Sequence, residues 1–231
     1  MTSDRPTRRT RVPTSVRLPL QRTLLRDLNA DDAEILVPLF ADADVQRFTP
    51  GAPRTSQGFR QFVGRARHRR RTGGHLCLAI EFERRAIGII QVWPLVGQAT
   101  MMEFGFALGR PYRGQGLLYE AATGFVTWAF SELAVDRLEA RTALSNSRAI
   151  AALMRMGARP EGILRQCLAD AEQHTDGILW SILATEWAPG EQREEPVGTG
   201  LTLAFLQPVV AGPSLRACNQ TSDLIRFGKV E

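Results

Sequence analysis

Three cysteines in 231 residues, Cys77, Cys167 and Cys218, are too few and too widely spaced for a disulfide framework. No C-x-x-C pair occurs, and the histidines His68, His75 and His174 are equally scattered. A metal site and a His-based triad therefore have no support, and no metal is expected. Unpaired cysteines fit a reducing, cytoplasmic setting, and Cys77 in its apolar run reads as a small core residue. No run approaches eighteen apolar residues, so no membrane span is expected. The start, MTSDRPTRRTRVPTSVR, has no apolar core and does not read as a secretory signal. Lysine is nearly absent: every cation except Lys229 is an arginine. Arginine suits bidentate contacts with phosphate and carboxylate, and a coding bias accounts for the same usage.

What is present is ordinary for a soluble globular protein: 44% hydrophobic residues, 23% charged, net charge +5. The length allows one large domain with tails. Residues 1–17, with Arg5, Arg8, Arg9 and Arg11 among prolines and threonines, read as a basic disordered arm. Leu18–Leu28 reads as a first strand, and Asn29 or Asp31 caps a helix through Ala33, Leu36, Val37 and Phe40. Asp44–Phe48 makes one more turn. Thr55 or Ser56 starts a second helix carrying Phe59, Phe62, Val63 and Ala66, stopped by Gly73-Gly74. Its far end, Arg65, Arg67, His68, Arg69, Arg70 and Arg71, complements the helix dipole or meets an acidic partner such as RNA.

Leu76–Phe82 and Ala86–Trp93 read as a hairpin across Glu83-Arg84-Arg85, closed by Pro94. Val135–Thr142 alternates as a strand. Ser145 or Asn146 caps a short helix with Ala149, Ile150, Leu153 and Met156, ended by Gly157. Ala158–Cys167 and Thr175–Trp187 form a last strand pair. From Ala188 the composition changes, and 188–231 reads as a linker and a poorly ordered or loosely docked tail containing one short apolar run, Leu201–Val210.

The stretch that organises the chain is MMEFGFALGRPYRGQGLLYEAATGFVTWAF, Met101–Phe130. Met102, Phe104, Phe106 and Leu108 alternate with Glu103, Gly105 and Ala107, which is a strand period. After Pro111 comes the turn Tyr112-Arg113-Gly114-Gln115-Gly116, and then a helical period through Leu117, Leu118, Ala121, Phe125, Trp128 and Ala129. Glycines there let the main chain approach a ligand, and a helix start offers free N–H groups and partial positive charge to a phosphate. A plain tight connection with surface arginines is equally compatible with the turn alone. A Walker loop is excluded because no Lys-Ser/Thr follows Gly116, and a dinucleotide fingerprint because Tyr119 stands where a third glycine belongs.

The ordered set Glu103-Phe104-Gly105-Phe106, Tyr112-Arg113-Gly114-Gln115-Gly116, Glu120-Ala121, Asn146-Ser147-Arg148, Met156-Gly157-Ala158, Glu161-Gly162 and Asp176–Leu183 with Glu186-Trp187 resembles the GNAT acyltransferase superfamily. It is most similar to the RimJ/RimL-like subgroup that acetylates N-termini of ribosomal proteins, and the resemblance covers residues 18–187. It implies an α/β fold with a mixed, mostly antiparallel sheet and helices on both faces. It also implies an acetyl-CoA-dependent N-acetyltransferase, with the cofactor held by Phe106, Ala107, Leu108, Arg113, Gly114, Gln115, Gly116, Leu117 and Asn146. Gly105 would fit a bulge at the cofactor entry. Leu118 departs from the small residue usual in R-x-x-G-x-G/A. Leu153 and Ala149 stand where the family has its tyrosine or serine acid, leaving Ser145, Ser147 and Tyr119 as substitutes.

Acetyl transfer needs a neutral amine. An α-amine with pKa about 7.7–8.0 is roughly a tenth neutral at pH 7, whereas a lysine is neutral less than about one part in a thousand. A protein N-terminus or similar weakly basic amine is therefore the expected acceptor, and one carboxylate suffices as base. Glu103 is the candidate, with Glu161 and Asp176 behind it. A small-molecule acceptor, for example an aminated antibiotic, is the alternative; a non-catalytic CoA- or RNA-binding module is another. Contact with RNA or the ribosome through the arginine clusters, and a monomer or homodimer, are compatible with the same sequence.

Overall fold

Alternating apolar strands such as Leu76, Leu78 and Ile80 bury one row of side chains on each face of a sheet, so helices are needed on both sides. The computed structural model describes residues 12–49, 51–169 and 174–188. Among these, eight strands form one sheet: β1 (Arg17–Pro19), β2 (Thr23–Asp27), β3 (Leu76–Phe82), β4 (Arg85–Pro94), β5 (Met101–Leu108), β6 (Arg137–Ala143), β7 (Arg159–Ala169) and β8 (His174–Leu183). Their spatial order is β1-β2-β3-β4-β5-β6-β8-β7, and only β5 and β6 run parallel.

The helices are α1 (Ala33–Phe40), α2 (Ala43–Gln46), α3 (Ser56–Gly73), α4 (Leu117–Glu132) and α5 (Ser147–Arg155). Leu117, Ala121, Phe125 and Ala129 of α4 and Leu153 of α5 pack on Leu78, Ile80, Val92, Phe104, Leu138 and Trp180. On the other face, Leu36, Phe40, Phe59, Phe62 and Val63 of α1 and α3 cover Cys77, Ala79, Ile89 and Ala107. The expected mixed, mostly antiparallel sheet with helices on both faces is the observed one.

The caps follow from local chemistry. Asn29 accepts from the amides of Asp31 and Asp32 while Asp32 accepts from the amide of Asn29, a reciprocal box before α1. Thr55 caps α3 through the Gly58 amide at 3.0 Å, and Gly74 ends it at φ 72°.

Two expectations near the start of the chain need correction. Leu18–Leu28 is a hairpin, not one strand: Leu20 N–H donates to Thr23 O at 2.9 Å, and β1 folds back on β2. The cause lies far away in sequence. The Glu120 carboxylate accepts from the amides of Arg22 and Thr23 at 2.7 and 2.8 Å and from the Thr23 hydroxyl at 2.8 Å, fixing the turn against α4. Second, the last part of the arm expected over 1–17 is packed. Val16 is buried, its amide donates to the Asp27 carboxylate, and Arg70 reaches both Pro13 O (2.8 Å) and Asp27 (2.5 Å). Residues 1–11 lie outside the described residues. So does the expected tail from 189 onward, with its apolar run 201–210.

Near the end of the described chain, β8 stops at Leu183 and Ala184–Glu186 forms a 3₁₀ turn, so the strand expected to Trp187 is shorter. Trp187 is nevertheless anchored: its Nε1 donates to Thr127 Oγ1 at 3.0 Å, and its ring meets Phe130 edge-on.

Candidate active site

The site begins where two strands part. The β5–β6 ladder contains Met101↔Arg137, Met102↔Leu138 and Glu103↔Glu139, and nothing beyond. From Phe104 and Ala140 onward the strands diverge, although β5 stays paired to β4 as far as Leu108↔Gly88 and β6 to β8 as far as Ala143↔Gly177. Backbone groups on the facing edges of β5 and β6 thus lose their strand partner and line a gap. No bulge is involved: the β4–β5 register runs uninterrupted through Gly105, correcting the expectation of one there. The two parallel strands are joined by a crossover through α4 and not by a tight hairpin turn.

The gap opens into a cleft of about 540 Å³. From the α4/α5 side it is lined by Leu118, Tyr119, Leu153 and Arg155, and from the α2 side by Asp44, Phe48 and Thr49. Gln91, Trp93, Glu103 and Arg141 lie along its sheet wall. It therefore reaches both faces of the sheet.

The turn after β5 forms one wall. A 3₁₀ turn, Arg110–Tyr112, leads to Arg113 in extended backbone, and Arg113 Nε donates to Leu108 O at 3.3 Å. Gly114 and Gly116 lie at φ 75° and 76°, where any Cβ is strained. Gly116 is the N-cap of α4, and the first intrahelical bond is Glu120 N–H to Gly116 O at 3.0 Å. The amides of Leu117, Leu118 and Tyr119 precede that ladder and stand free at the positive end of the helix. A Cβ on Gly114 would meet nothing within 4 Å, so the turn has open space beside its backbone. This cradle fits a diphosphate.

Of the sequence-predicted cofactor residues, Phe106, Ala107, Leu108, Arg113, Gly114, Gly116, Leu117 and Asn146 all line the cleft. Gln115 is exposed and outside that lining; its side chain donates to Pro111 O at 2.9 Å, and its carbonyl accepts from Arg22 at 3.1 Å. Asn146 caps α5, its Oδ1 accepting from the Ala149 amide at 3.2 Å.

Glu103 also lines the cleft but is only 1% exposed, and its carboxylate accepts a hydrogen bond from Arg141 Nη1. Burial raises its pKa, the Arg141 charge opposes that rise, and the neighbouring Glu139 adds to it. Behind the pair runs an alternating chain of charge. Arg141 lies 3.7 Å from Glu139, Arg137 bridges Glu139 (2.9 Å) and Glu161 (3.0 Å), and Ser181 Oγ donates to Glu161 at 2.5 Å. Those last contacts hold Glu161 below its ordinary pKa, Ser181 first, against the opposing effect of burial. Neither Glu161 nor Asp176 reaches the cleft; Asp176 accepts from the Gln166 amide at 2.8 Å.

The substitute acids separate as cleanly. Ser145 and Ser147 are exposed and outside the cleft lining, whereas Tyr119 lies in it with the Arg155 guanidinium 4.8 Å above its ring. Leu153 is fully buried and Ala149 borders the cleft, so the usual acid positions present only hydrocarbon. Sequence reasoning missed Trp93, Gln91, Thr142 and the α2 residues. Gln91 had a signal, since it is the polar break in the apolar run of β4, Ala86–Trp93. The α2 residues had none, because only contacts distant in sequence bring them to the cleft. Asp44–Arg148 (3.2 Å) and Asp42–Arg110 (3.6 Å) tie α2 to α5 and to the turn.

Among the described residues no cluster of three His, Cys, Asp or Glu side chains is arranged to hold a metal, and no helix is long and apolar enough to cross a membrane. The chain is similar to the uncharacterized N-acetyltransferase YnaD of Bacillus subtilis, at 23% identity over 72% of this chain and 96% of that protein. Over 47% of this chain and 56% of the relative, it is 27% identical to the ribosomal protein uS5-alanine N-acetyltransferase of Escherichia coli. Mycobacterium smegmatis RimJ in complex with CoA-disulfide shares the fold at TM-score 0.67 and 21% identity, over 74% of this chain and 88% of that one. Residues 22–159 match the family described as "Acetyltransferase (GNAT) domain", and this chain belongs to that family.

Proposed function

We propose that this chain transfers the acetyl group of acetyl-CoA to a primary amine in the cytoplasm, with a protein N-terminus or a similarly weakly basic amine as acceptor. The observation that carries the reading is the cleft between β5 and β6. It joins the helix-start cradle on one side of the sheet to a buried carboxylate on the other. In this arrangement the α4 amides and Arg113 hold the diphosphate, and unpaired backbone N–H groups on the facing strand edges polarise the thioester carbonyl.

Glu103 takes one proton from the attacking amine, directly or through one water. As the C–N bond forms the thioester C–S bond breaks, and the CoA thiolate leaves with a proton from that ammonium or from water. Burial brings its basicity closer to that of an α-amine, which favours proton transfer near neutral pH. Arg141 keeps the carboxylate in place and offsets its charge. The similarity to the uS5-alanine N-acetyltransferase of Escherichia coli supports a ribosomal-protein acceptor. So does α3, where Arg67, His68 and Arg71 are exposed and Arg67 and Arg71 form no ion pair among the described residues, a surface suited to RNA.

The test is thiol release from acetyl-CoA by the full chain with three acceptor sets: peptides with free α-amines, the same peptides blocked at the N-terminus but containing lysine, and small polyamines. Fastest release with free α-amines, with the acetyl mass on the N-terminal residue, is expected. Release with the small polyamines alone overturns the acceptor, and binding of acetyl-CoA without release from any set overturns the enzyme.

A further inference from the structure

Four arginines line the cleft: Arg113, Arg141, Arg148 and Arg155. Arg141 is paired with Glu103 and Arg148 with Asp44, so the acceptor side is locally neutral. Arg113 and Arg155 form no ion pair among the described residues, which leaves the cofactor side with two uncompensated cations. Arg113 belongs to the phosphate turn. Arg155 is the last residue of α5, and its guanidinium lies 4.8 Å above the ring of Tyr119, whose own amide is one of the free N–H groups of α4.

This placement sets a second cation against a side chain of the first turn of α4, the turn whose free amides form the diphosphate cradle. A guanidinium over a phenol face is held by cation–π attraction while its N–H edge stays available, so it is pre-organised for an anion. Coenzyme A carries one phosphate outside its diphosphate, the 3′-phosphomonoester on the ribose. Resting on the acetyl-CoA reading above, we propose that Arg155, steadied by Tyr119, binds the 3′-phosphate and makes this chain discriminate coenzyme A from its 3′-dephospho form.

The test is calorimetric binding of acetyl-CoA and of acetyl-3′-dephospho-CoA to the full chain, without acceptor, in the wild type, Arg155→Met and Tyr119→Leu. The wild type is expected to prefer the 3′-phosphorylated ligand roughly tenfold or more, as a charge-assisted contact implies. Arg155→Met should weaken acetyl-CoA to the level of the dephospho form and leave the latter unchanged. Tyr119→Leu should lose part of the preference. Arg155 is exposed, so its loss should not move the melting temperature, which checks that the fold persists. Equal binding of both ligands by the wild type, or full discrimination retained in Arg155→Met, overturns this subsite and leaves acetyl-CoA as donor. Failure of the wild type to bind acetyl-CoA at all overturns both.

Discussion

Glu103 and Arg141 meet as an ion pair where β5 and β6 separate, with the carboxylate side chain 1% exposed and the guanidinium 10%. Glu103 is the last β5 residue in register with β6, and Arg141 lies two residues past that register on the diverging strand. The pair therefore spans the entrance of the gap. A buried pair of this kind gives little net stability, because desolvation of both charges opposes their attraction. Its position in the cleft is what singles it out.

Glu103→Gln keeps size and hydrogen bonding and removes proton acceptance. Steady-state turnover should fall roughly 10²–10⁴-fold while acetyl-CoA affinity is unchanged. The base form of Glu103 is lost as pH falls through its raised pKa, so wild-type kcat/KM should decline on the acid side. In the variant that inflection should disappear and the rate should climb with pH as more amine arrives neutral. Wild-type turnover in the variant from about pH 6 to 9 would reduce Glu103 to a structural partner of Arg141.

Arg141→Met takes away the opposing charge beside Glu103. The carboxylate pKa then rises further, and the acid limb of kcat/KM should move to higher pH. Stability should drop by about 3–5 kcal/mol, because a buried carboxylate is left uncompensated. Denaturant unfolding and a pH–rate series check the two effects separately; an acid limb that stays in place would show that Arg141 does not tune the base.

Gly114 and Gly116 share a left-handed backbone but differ in surroundings. A Cβ at 114 has open space, whereas one at 116 lies 3.2 Å from Arg22 Nη2. Gly114→Ala should cost only the backbone strain, about 1–2 kcal/mol. Gly116→Val should in addition crowd the cradle and weaken acetyl-CoA binding roughly tenfold or more. Equal acetyl-CoA affinity for a folded Gly116→Val protein would falsify the cradle.

Glu120 fastens β2 to α4. Burial raises its pKa, but the bonds from Arg22 and Thr23 prevail, and the carboxyl titrates below its ordinary value. Its stabilisation is present above the unfolded value of about 4.3 and is lost as pH falls through the folded one. Glu120→Ala should therefore lose about 1–3 kcal/mol at neutral pH. The gap to wild type should narrow below about pH 4, read by thermal unfolding across pH. A gap that widens in acid would contradict the assignment.

The outer segments can be trimmed within limits set by packing. Removing 1–11 and 189–231 together should leave a cooperative domain that still binds acetyl-CoA, because Pro13, Val16, Asp27 and Trp187 keep their contacts. Extending the first cut through Val16 should lower the melting temperature, since it removes a buried side chain and an acceptor of Arg70. An insoluble protein after the shorter cut would mean that the removed residues dock on the core.

Local rhythm alone determined most of the elements of this chain. The period of two over Met101–Leu108, the helical period after Gly116 and the caps at Asn29, Thr55 and Asn146 depend on residues a few positions apart. Those neighbours were in view before any fold was. The same holds for the cradle, because a glycine turn followed by a helix start is a local object. The tertiary structure alone decided the rest. The turn inside Leu18–Leu28 is held by a carboxylate 98 positions away, and the partner of Glu103 lies 38 positions away. Neither a hydrophobic period nor a propensity contains such pairings, which exist only once the sheet order has formed. Glu103 was legible as a candidate from its strand face, but its burial, its pairing with Arg141 and the position of Glu161 and Asp176 outside the cleft came from the tertiary structure. The separation of β5 and β6 is a property of the strand pair, set by where their ladder ends, and neither strand's sequence carries it alone.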